Sequence, residues 1–387
     1  MGASKIEWTD ATWNPVTGCS KVNSGCKNCY AERLWPRTEG ARIKHEGGSA
    51  RPFTDVRIHP ERLDAPLRWR KPMRIFVNSM SDLFHEDVPD EFIDRVFAVM
   101  ASSSKHTYQI LTKRPKRMCA YFSRVSAGAV DAAARYERDM RAHFQRYKMD
   151  FKEGHSIPEP PTGELRFIYD SAARQEDRPT SPDGTTLGDG FSGGEYHWRS
   201  WPLSNVWLCV SVEDQPTADE RITLLLQTPA AVRGVSYEPA LGPVNFTRVP
   251  WASAWDGGWQ NPLTGYFYAP GTDGDCGRGH RIDQIIAGGE SGPGARPAHP
   301  DWFRAVRDQC VEAGVAFFFK QWGEWINSDT DVRESWTCAD RFVRVDGTTH
   351  SYADDEPYCA SDALMHRIGK RAAGRLLDGR KWSEFPT

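Results

Sequence analysis

The chain has 387 residues, 49 Lys and Arg against 52 Asp and Glu, and a formal net charge of −3. That length holds one large domain or two modest ones, and the charge balance excludes the global basic field of a protein that coats nucleic acid. No apolar run approaches the roughly 18 residues of a membrane helix, and the opening M-G-A-S-K-I-E-W lacks the apolar core of an export signal. The expectation is a cytoplasmic protein with no membrane partner.

Short apolar runs alternate with helical patterns along the chain, the mark of a parallel α/β sheet or barrel. Residues 6–14 alternate and lead into a cysteine loop, and 74–79 read as a second strand. A helix is expected from about Pro89, with Asp90 and Glu91 in its first turn and Phe92, Ile93, Val96, Phe97 and Met100 on one face. Residues 107–112, 206–212, 232–237, 284–287 and 315–320 read as five more strands. Before the last of these a helix from Pro300 carries Trp302, Val306, Cys310 and Ala313 at helical spacing and stops at Gly314. Two stretches break the rhythm. Residues 125–200 pass from a charged helical pattern into Pro- and Gly-rich sequence, and 250–281 are rich in Trp, Gly and Tyr without a core period. Both read as long insertions in a single domain spanning 1–387, a complete or partial (β/α) barrel.

In such barrels chemistry gathers where strands end. The second strand runs into Asn78, Ser79, Ser81 and Asp82, the third into Thr112-Lys113-Arg114-Pro115, and the fourth into Ser211-Val212-Glu213. The fifth runs into Tyr237-Glu238-Pro239, the sixth into Gly288-Gly289-Glu290-Ser291-Gly292, and the seventh into Lys320-Gln321-Trp322-Gly323-Glu324. The glycine-rich stretch after the sixth strand is neither G-x-G-x-x-G nor a Walker loop, which argues against a nucleoside triphosphate. His85 reads as a solvated loop histidine or a proton carrier. Cys119, Cys209 and Cys310 read as core residues.

Cys19, Cys26 and Cys29 fall within eleven residues, at spacing C-x6-C-x2-C, amid Ser, Lys, Asn and Gly. A closed zinc site or a simple electron-transfer cluster takes four protein ligands. Three thiolates holding a [4Fe–4S] cluster leave one iron open. Two other readings stand beside it: a zinc site that recruits His45 or His59, and plain buried thiols. A disulfide framework is disfavoured by the odd total of nine cysteines.

The segment from Asn14-Pro15 through Cys19 to Cys26-Lys27-Asn28-Cys29-Tyr30-Ala31 resembles the cluster loop of spore-photoproduct-lyase-type radical S-adenosylmethionine (SAM) proteins. Thr112-Lys113-Arg114-Pro115 resembles their third strand end. The common loop is C-x3-C-x2-C, so the first gap here is longer, and a bulge before Gly25 is expected. The whole chain is more similar still to an uncharacterised phage and prophage family with a three-Cys motif. Its signatures appear as Y-Q-I-L-T-K-R-P (108–115), S-V-E-D-Q (211–215), G-G-E-S-G-P (288–293), F-F-K-Q-W-G-E (318–324) and G-R-L-L-D-G-R (374–380).

The resemblance implies a radical SAM barrel in which Cys19, Cys26 and Cys29 ligate a [4Fe–4S] cluster. SAM is cleaved to a 5′-deoxyadenosyl radical with an electron from a donor such as flavodoxin or ferredoxin. By position, Ser79, Ser81 and Asp82 would take the SAM ammonium, Lys113 its carboxylate, Ser211 and Glu213 the ribose, and Gly288 and Gly289 the adenine. Glu290 and Lys320 are candidate catalytic residues that would pair or meet substrate. The basic run Lys113-Arg114-Pro115-Lys116-Arg117, and a relative type that acts on thymine in DNA, point to DNA or RNA as partner, with the base flipped out to be reached. A peptide or small metabolite is the other substrate reading, and a non-enzymatic zinc or nucleic-acid-binding protein the other class.

Overall fold

A computed structural model describes residues 4, 6–38, 51–124, 202–251, 257–271, 274–327, 340–351, 354, 359 and 361–386. The expected insertion at 125–200 and His45 lie almost wholly or wholly outside these residues.

Seven strands form one sheet: β1 (Ala11–Trp13), β2 (Arg74–Val77), β3 (Thr107–Thr112), β4 (Val206–Val212), β5 (Val232–Tyr237), β6 (Gln284–Gly288) and β7 (Ala316–Gln321). They lie side by side in sequence order, every neighbouring pair parallel. An order that never reverses has no switch point of the doubly wound kind. The sheet curls as part of a (β/α) barrel instead. Among the described residues β1 and β7 are not paired, so the curl is a half-barrel.

Among the described residues the sheet is accompanied by α1 (Tyr30–Leu34), α2 (Asp90–Ser102), α3 (Gln215–Gln227) and α4 (Pro300–Ala313), and by a further helical stretch over 115–124. Helix α3 starts in a capping box, Asp214 accepting from the Thr217 amide while the Thr217 hydroxyl accepts from the Asp214 amide. Helix α4 starts at Pro300 and stops at Gly314, whose φ of 64° is left-handed. Ile93, Val96 and Phe97 of α2, Ile222 and Leu225 of α3, and Phe303 and Val306 of α4 are buried in one core. With them lie Ile75, Tyr108, Ile110, Leu208, Val210, Val235, Tyr237, Ile285, Phe317 and Phe319 from the strands. These strand residues share one face by register. The alternate residues face into the curl: Gln109, Leu111, Cys209, Ser211, Gly234, Ser236, Gln284 and Ile286. A second apolar cluster, Trp8, Phe76, Ile286 and Phe318 with Phe385 packed against it, fills its lower part. The outer face is thus oily, while the inner face mixes that cluster with polar residues, Ser211 and Ser236 among them near the strand ends.

The first strand is shorter than its alternation predicts. Residues 6–8 lie outside it, and Trp8 packs into the inner cluster, so that part of the pattern reflects burial of a ring and not strand pairing. Strand β2 ends at Val77 because Asn78 takes φ 61° and begins a turn. Within 250–281 the chain forms a separate antiparallel sheet of Val249–Pro250, Trp259–Gln260, Tyr266–Tyr268 and Gly277–Arg278. Another, which the sequence pattern does not announce, joins Trp325–Asn327, Ala363–Arg367, Arg341–Val343 and Thr349–His350 near the C-terminus.

Candidate functional site

The cysteine loop leaves β1, makes a 3-10 turn at Ser24–Cys26 and re-enters regular structure at α1, with Cys29 at its N-cap. Polar contacts lay it across the strand ends. The Gly18 amide donates to the Met80 carbonyl at 3.1 Å, after β2. Arg114, after β3, donates to the Ser20 hydroxyl at 2.8 Å and its carbonyl at 3.1 Å. The Asn23 amide donates to Glu213, after β4, at 2.6 Å. Asn28 donates to Glu290 at 3.0 Å and to the Gly294 carbonyl at 2.8 Å, after β6. Arg296 returns a bond to the Ser24 carbonyl at 3.0 Å. The loop therefore covers the C-terminal mouth of the half-barrel.

The three thiols are half-buried and none is in a disulfide. Cys19 lies 3.6 Å from the Arg114 guanidinium. Burial, then the Asp82 charge, pushes its thiol up to about 12, with Arg114 opposing. Cys26 makes only a long contact of 3.7 Å to Asn23. Three unbridged thiols on one loop, with a cation beside one of them, are the donor chemistry of a soft iron–sulfur group. As the side chains stand, no group of three His, Cys, Asp or Glu among the described residues converges on a metal position. A cluster would need the thiols turned toward each other, with Cys19 giving up its contact to the Ser20 carbonyl at 3.4 Å. His59 is a poor fourth ligand: Nε2 meets the Thr17 hydroxyl at 2.7 Å and Nδ1 the Glu61 carboxylate at 3.1 Å.

Beneath the loop, Lys113, Ser211 and Glu213 form one network. The Lys113 ammonium donates to Ser211 at 2.6 Å and to the Glu213 carboxylate. Arg221, buried on α3, reaches the same carboxylate at 3.2 Å and the Ser211 carbonyl at 2.6 Å. Glu213 has no exposed surface, so one buried carboxylate holds two cations and the loop's Asn23. Next to it Ser236 pairs in register with Ser211 and donates to Glu238 at 3.1 Å, and Glu238 ion-pairs with Lys320 at 2.9 Å. Ser211-Val212-Glu213 and Ser236-Tyr237-Glu238 are therefore the same three-residue device on adjacent strands. That repeat was visible in the sequence, and Glu238 belongs with the site residues named above.

Other expected site residues serve the protein itself. Asp82 accepts from the Thr112 hydroxyl at 2.8 Å, the Phe84 amide at 3.0 Å and the Lys113 amide at 2.9 Å. Ser79 donates to Asn14 at 3.2 Å and Ser81 to the Val16 carbonyl at 2.8 Å. A Cβ on Gly289 would lie 1.9 Å from the Trp322 carbonyl oxygen, and one on Gly288 2.8 Å from Glu238, so both glycines are demanded by close packing of the chain itself. Glu290 and Lys320 do not pair. Glu290 is held by Arg296 at 2.6 Å; burial would raise its carboxyl, but the Arg296 and Asn28 hydrogen bonds keep it below the usual range.

Three expectations are corrected. His85 is buried, not solvated: its Nδ1 accepts from the Asp87 amide at 3.2 Å, leaving Nε2–H to donate to Ser20 at 2.8 Å. Burial, then Arg114, lowers its pKa and keeps it neutral. The basic run 113–117 is not a free cationic patch. Lys113 pairs with Glu213, Arg114 with Asp82 and Glu86, Lys116 with Glu220 and Arg117 with Asp90. Gly25 also has a different cause from a loop bulge: its φ is ordinary, and it faces Glu213 where no Cβ fits. Cys209 and Cys310 are buried as expected, and Cys119 is half-buried.

No curated protein and no solved structure matches the chain. One family model does, over residues 3–386, and it is described as a protein of unknown function, DUF5131. With nearly its whole length matched, the chain belongs to the DUF5131 family.

Proposed function

We propose that this protein is a radical SAM enzyme whose Cys19, Cys26 and Cys29 hold a [4Fe–4S] cluster and whose substrate is a nucleobase or nucleic acid. The observation that carries the reading is the three-cysteine loop, which leaves β1 by way of the short strand Val16–Thr17 and lies over the strand ends of a sequentially ordered parallel half-barrel. When bound, such a cluster supplies reductive cleavage of the SAM sulfonium, with the electron drawn from a donor such as flavodoxin or ferredoxin.

The chain's own part is binding, orientation and exclusion of water. Lys113 is the cation for the SAM carboxylate, turning to it from Glu213 and Ser211. Glu213 then stays neutralised by Arg221, so the exchange leaves no bare buried charge. Glu238 and Lys320 form the next polar pair along the rim, where a substrate would lie. Asn23, Asn28 and Ser20 tie the loop to that rim and fix where the thiols sit. Arg114 supplies positive charge beside Cys19, which offsets part of the rise that burial and Asp82 impose on its thiol.

Anaerobic reconstitution tests the reading. About four iron and four sulfide per chain are expected, lost when any one of the three cysteines becomes Ala. Dithionite and SAM should then release 5′-deoxyadenosine. A colourless protein with stoichiometric zinc would replace the enzyme by a zinc-binding module. A loaded cluster with no 5′-deoxyadenosine would leave an electron-transfer role. Activity on peptides or small metabolites, and none on nucleosides, DNA or RNA, would move the substrate alone.

A further inference from the structure

Away from the cysteine loop, the end of β7 faces the short helix α5 (Lys370–Ala373) across a groove of about 350 Å³. Among the described residues its walls carry Lys320, Lys370, Arg371 and Arg375, with Glu7 as the one carboxylate, and Gln321 beside them. That volume lies in the small-ligand range of about 300–1,000 Å³. Two of the four cations have carboxylates: Lys370 meets Glu7 at 3.5 Å and Lys320 meets Glu238 at 2.9 Å. Among the described residues Arg371 and Arg375 have no carboxylate within ion-pair distance. Arg371 is exposed.

Arg375 is fixed in place. It donates to the Phe319 and Trp382 carbonyls at 3.1 and 3.0 Å and to the Ser383 hydroxyl at 2.9 Å, and its guanidinium lies 4.6 Å over the Phe318 ring. Yet its buried Nε–H has no acceptor among the described residues. Gln321 is nearly buried and complementary: its amide nitrogen donates to the Gly289 carbonyl at 3.3 Å, while its oxygen has no donor among the described residues. Both atoms are buried and belong to residues that line the groove, and a buried donor or acceptor left unmet is costly.

We propose that this groove anchors the phosphate of a nucleotide unit, with Arg371 and Arg375 taking the phosphate oxygens and Gln321 accepting from a sugar hydroxyl or base amino group. Planar guanidinium forks suit phosphate, and the Gln321 acceptor asks for a donor on the same ligand. Lys320 joins the groove to the rim, because its ammonium pairs with Glu238 beside Ser211 and Glu213. A nucleotide held here by phosphate has its base one side chain away from the proposed reaction site. This inference rests on the proposed function only for what happens to that base. The binding itself needs no cluster.

The test is fluorescence polarisation of a labelled single-stranded DNA oligonucleotide and its RNA counterpart on the full chain. Unlabelled strand, mononucleotide, inorganic phosphate and an acidic peptide serve as competitors. Binding should weaken at least tenfold in Arg371→Glu and clearly in Lys370→Gln, with a shallower salt dependence. Lys116→Glu, an exposed cation elsewhere, should leave it unchanged. Stronger competition by strand than by mononucleotide assigns the groove to nucleic acid, and equal competition per phosphate assigns it to free nucleotide. Arg371→Glu binding like the unaltered protein overturns the proposal, as does inorganic phosphate or acidic peptide competing as well as the nucleotides. Repeating the titration with Cys29→Ser separates the two readings. Binding kept in Cys29→Ser shows that the groove works without the cluster; nucleotide binding by an unaltered chain that never takes up iron sinks the cluster alone, and 5′-deoxyadenosine release without nucleotide binding sinks the groove alone.

Discussion

Gly25 of the cysteine loop lies flat against the carboxyl of Glu213 at the end of β4, where a Cβ would approach the carboxyl carbon to 2.6 Å. Glu213 cannot swing away cheaply, because Lys113, Arg221 and Asn23 all hold it. Gly25→Ala should therefore cost about 1–3 kcal/mol through overpacking. Thermal melting checks this, and an unchanged Tm would mean that the contact is slack.

Glu213→Gln removes the one charge between Lys113 and Arg221, with the Glu213 and Arg221 side chains almost wholly buried. Breaking a buried pair in this way costs about 3–5 kcal/mol. Urea denaturation should show a loss of that order. A loss under about 1 kcal/mol would show that water already reaches the network and screens it.

SAM affinity is the sharper test of Lys113. In reconstituted Lys113→Ala, losing the charged partner of a buried carboxylate should cost about 2–5 kcal/mol, or roughly 30-fold to several-thousand-fold in Kd. Iron content should be unchanged. Asp82→Ala should weaken SAM binding for a different reason: Asp82 positions the Lys113 amide and the Arg114 guanidinium. Near-normal affinity in Lys113→Ala would remove Lys113 from the cofactor site and leave the fold reading intact.

Acid should destabilise the protein through its buried histidines. His106 donates from Nε2 to the Pro66 carbonyl at 3.2 Å, and burial depresses its pKa below the ordinary 6.5. Folded His106 then stays neutral while the unfolded chain takes up a proton below pH 6.5. Stability is full above that pH and falls as pH drops toward the depressed folded value. His106→Phe keeps a ring against Trp69 and Tyr108, so it should be less stable at pH 7.5 but lose less on going to pH 5. His85 and His280 are depressed too, so some slope remains. Equal steepness in the two proteins would show that His106 does not titrate differently on folding.

Strands β3, β4 and β5 were legible to the residue because each is an apolar run bounded by turn-forming or ionisable residues. Helix α4 was legible because Pro300 and Gly314 punctuate it. Local pattern carries such elements. The site was legible only in part, because its bonds join residues distant in sequence: Asn23 to Glu213, Asn28 to Glu290, Lys113 to Ser211. Polar strand ends announce a rim, but not which side chain answers which. For the same reason the run 113–117 looks like a patch in one dimension, while each of its cations meets an acid from elsewhere. The C-terminal antiparallel sheet was missed because its strands are two to five residues long, too short for a period of two to register.

The half-barrel has a seam where β1 and β7 share no backbone hydrogen bonds. Its interior is closed by rings from outside the strands: Trp8, 4.7 Å from Phe76, and Phe385, 5.5 Å from Phe318. Phe385 rides on a segment that the free edge of β7 holds by backbone bonds, the Phe319 amide donating to the Trp382 carbonyl at 3.3 Å and the Glu384 amide to the Phe317 carbonyl at 3.2 Å. The seam is thus filled by rings that segments flanking β1 and β7 deliver, independently of the loop that roofs the mouth. Unseating Phe385 therefore costs backbone hydrogen bonds as well as ring packing.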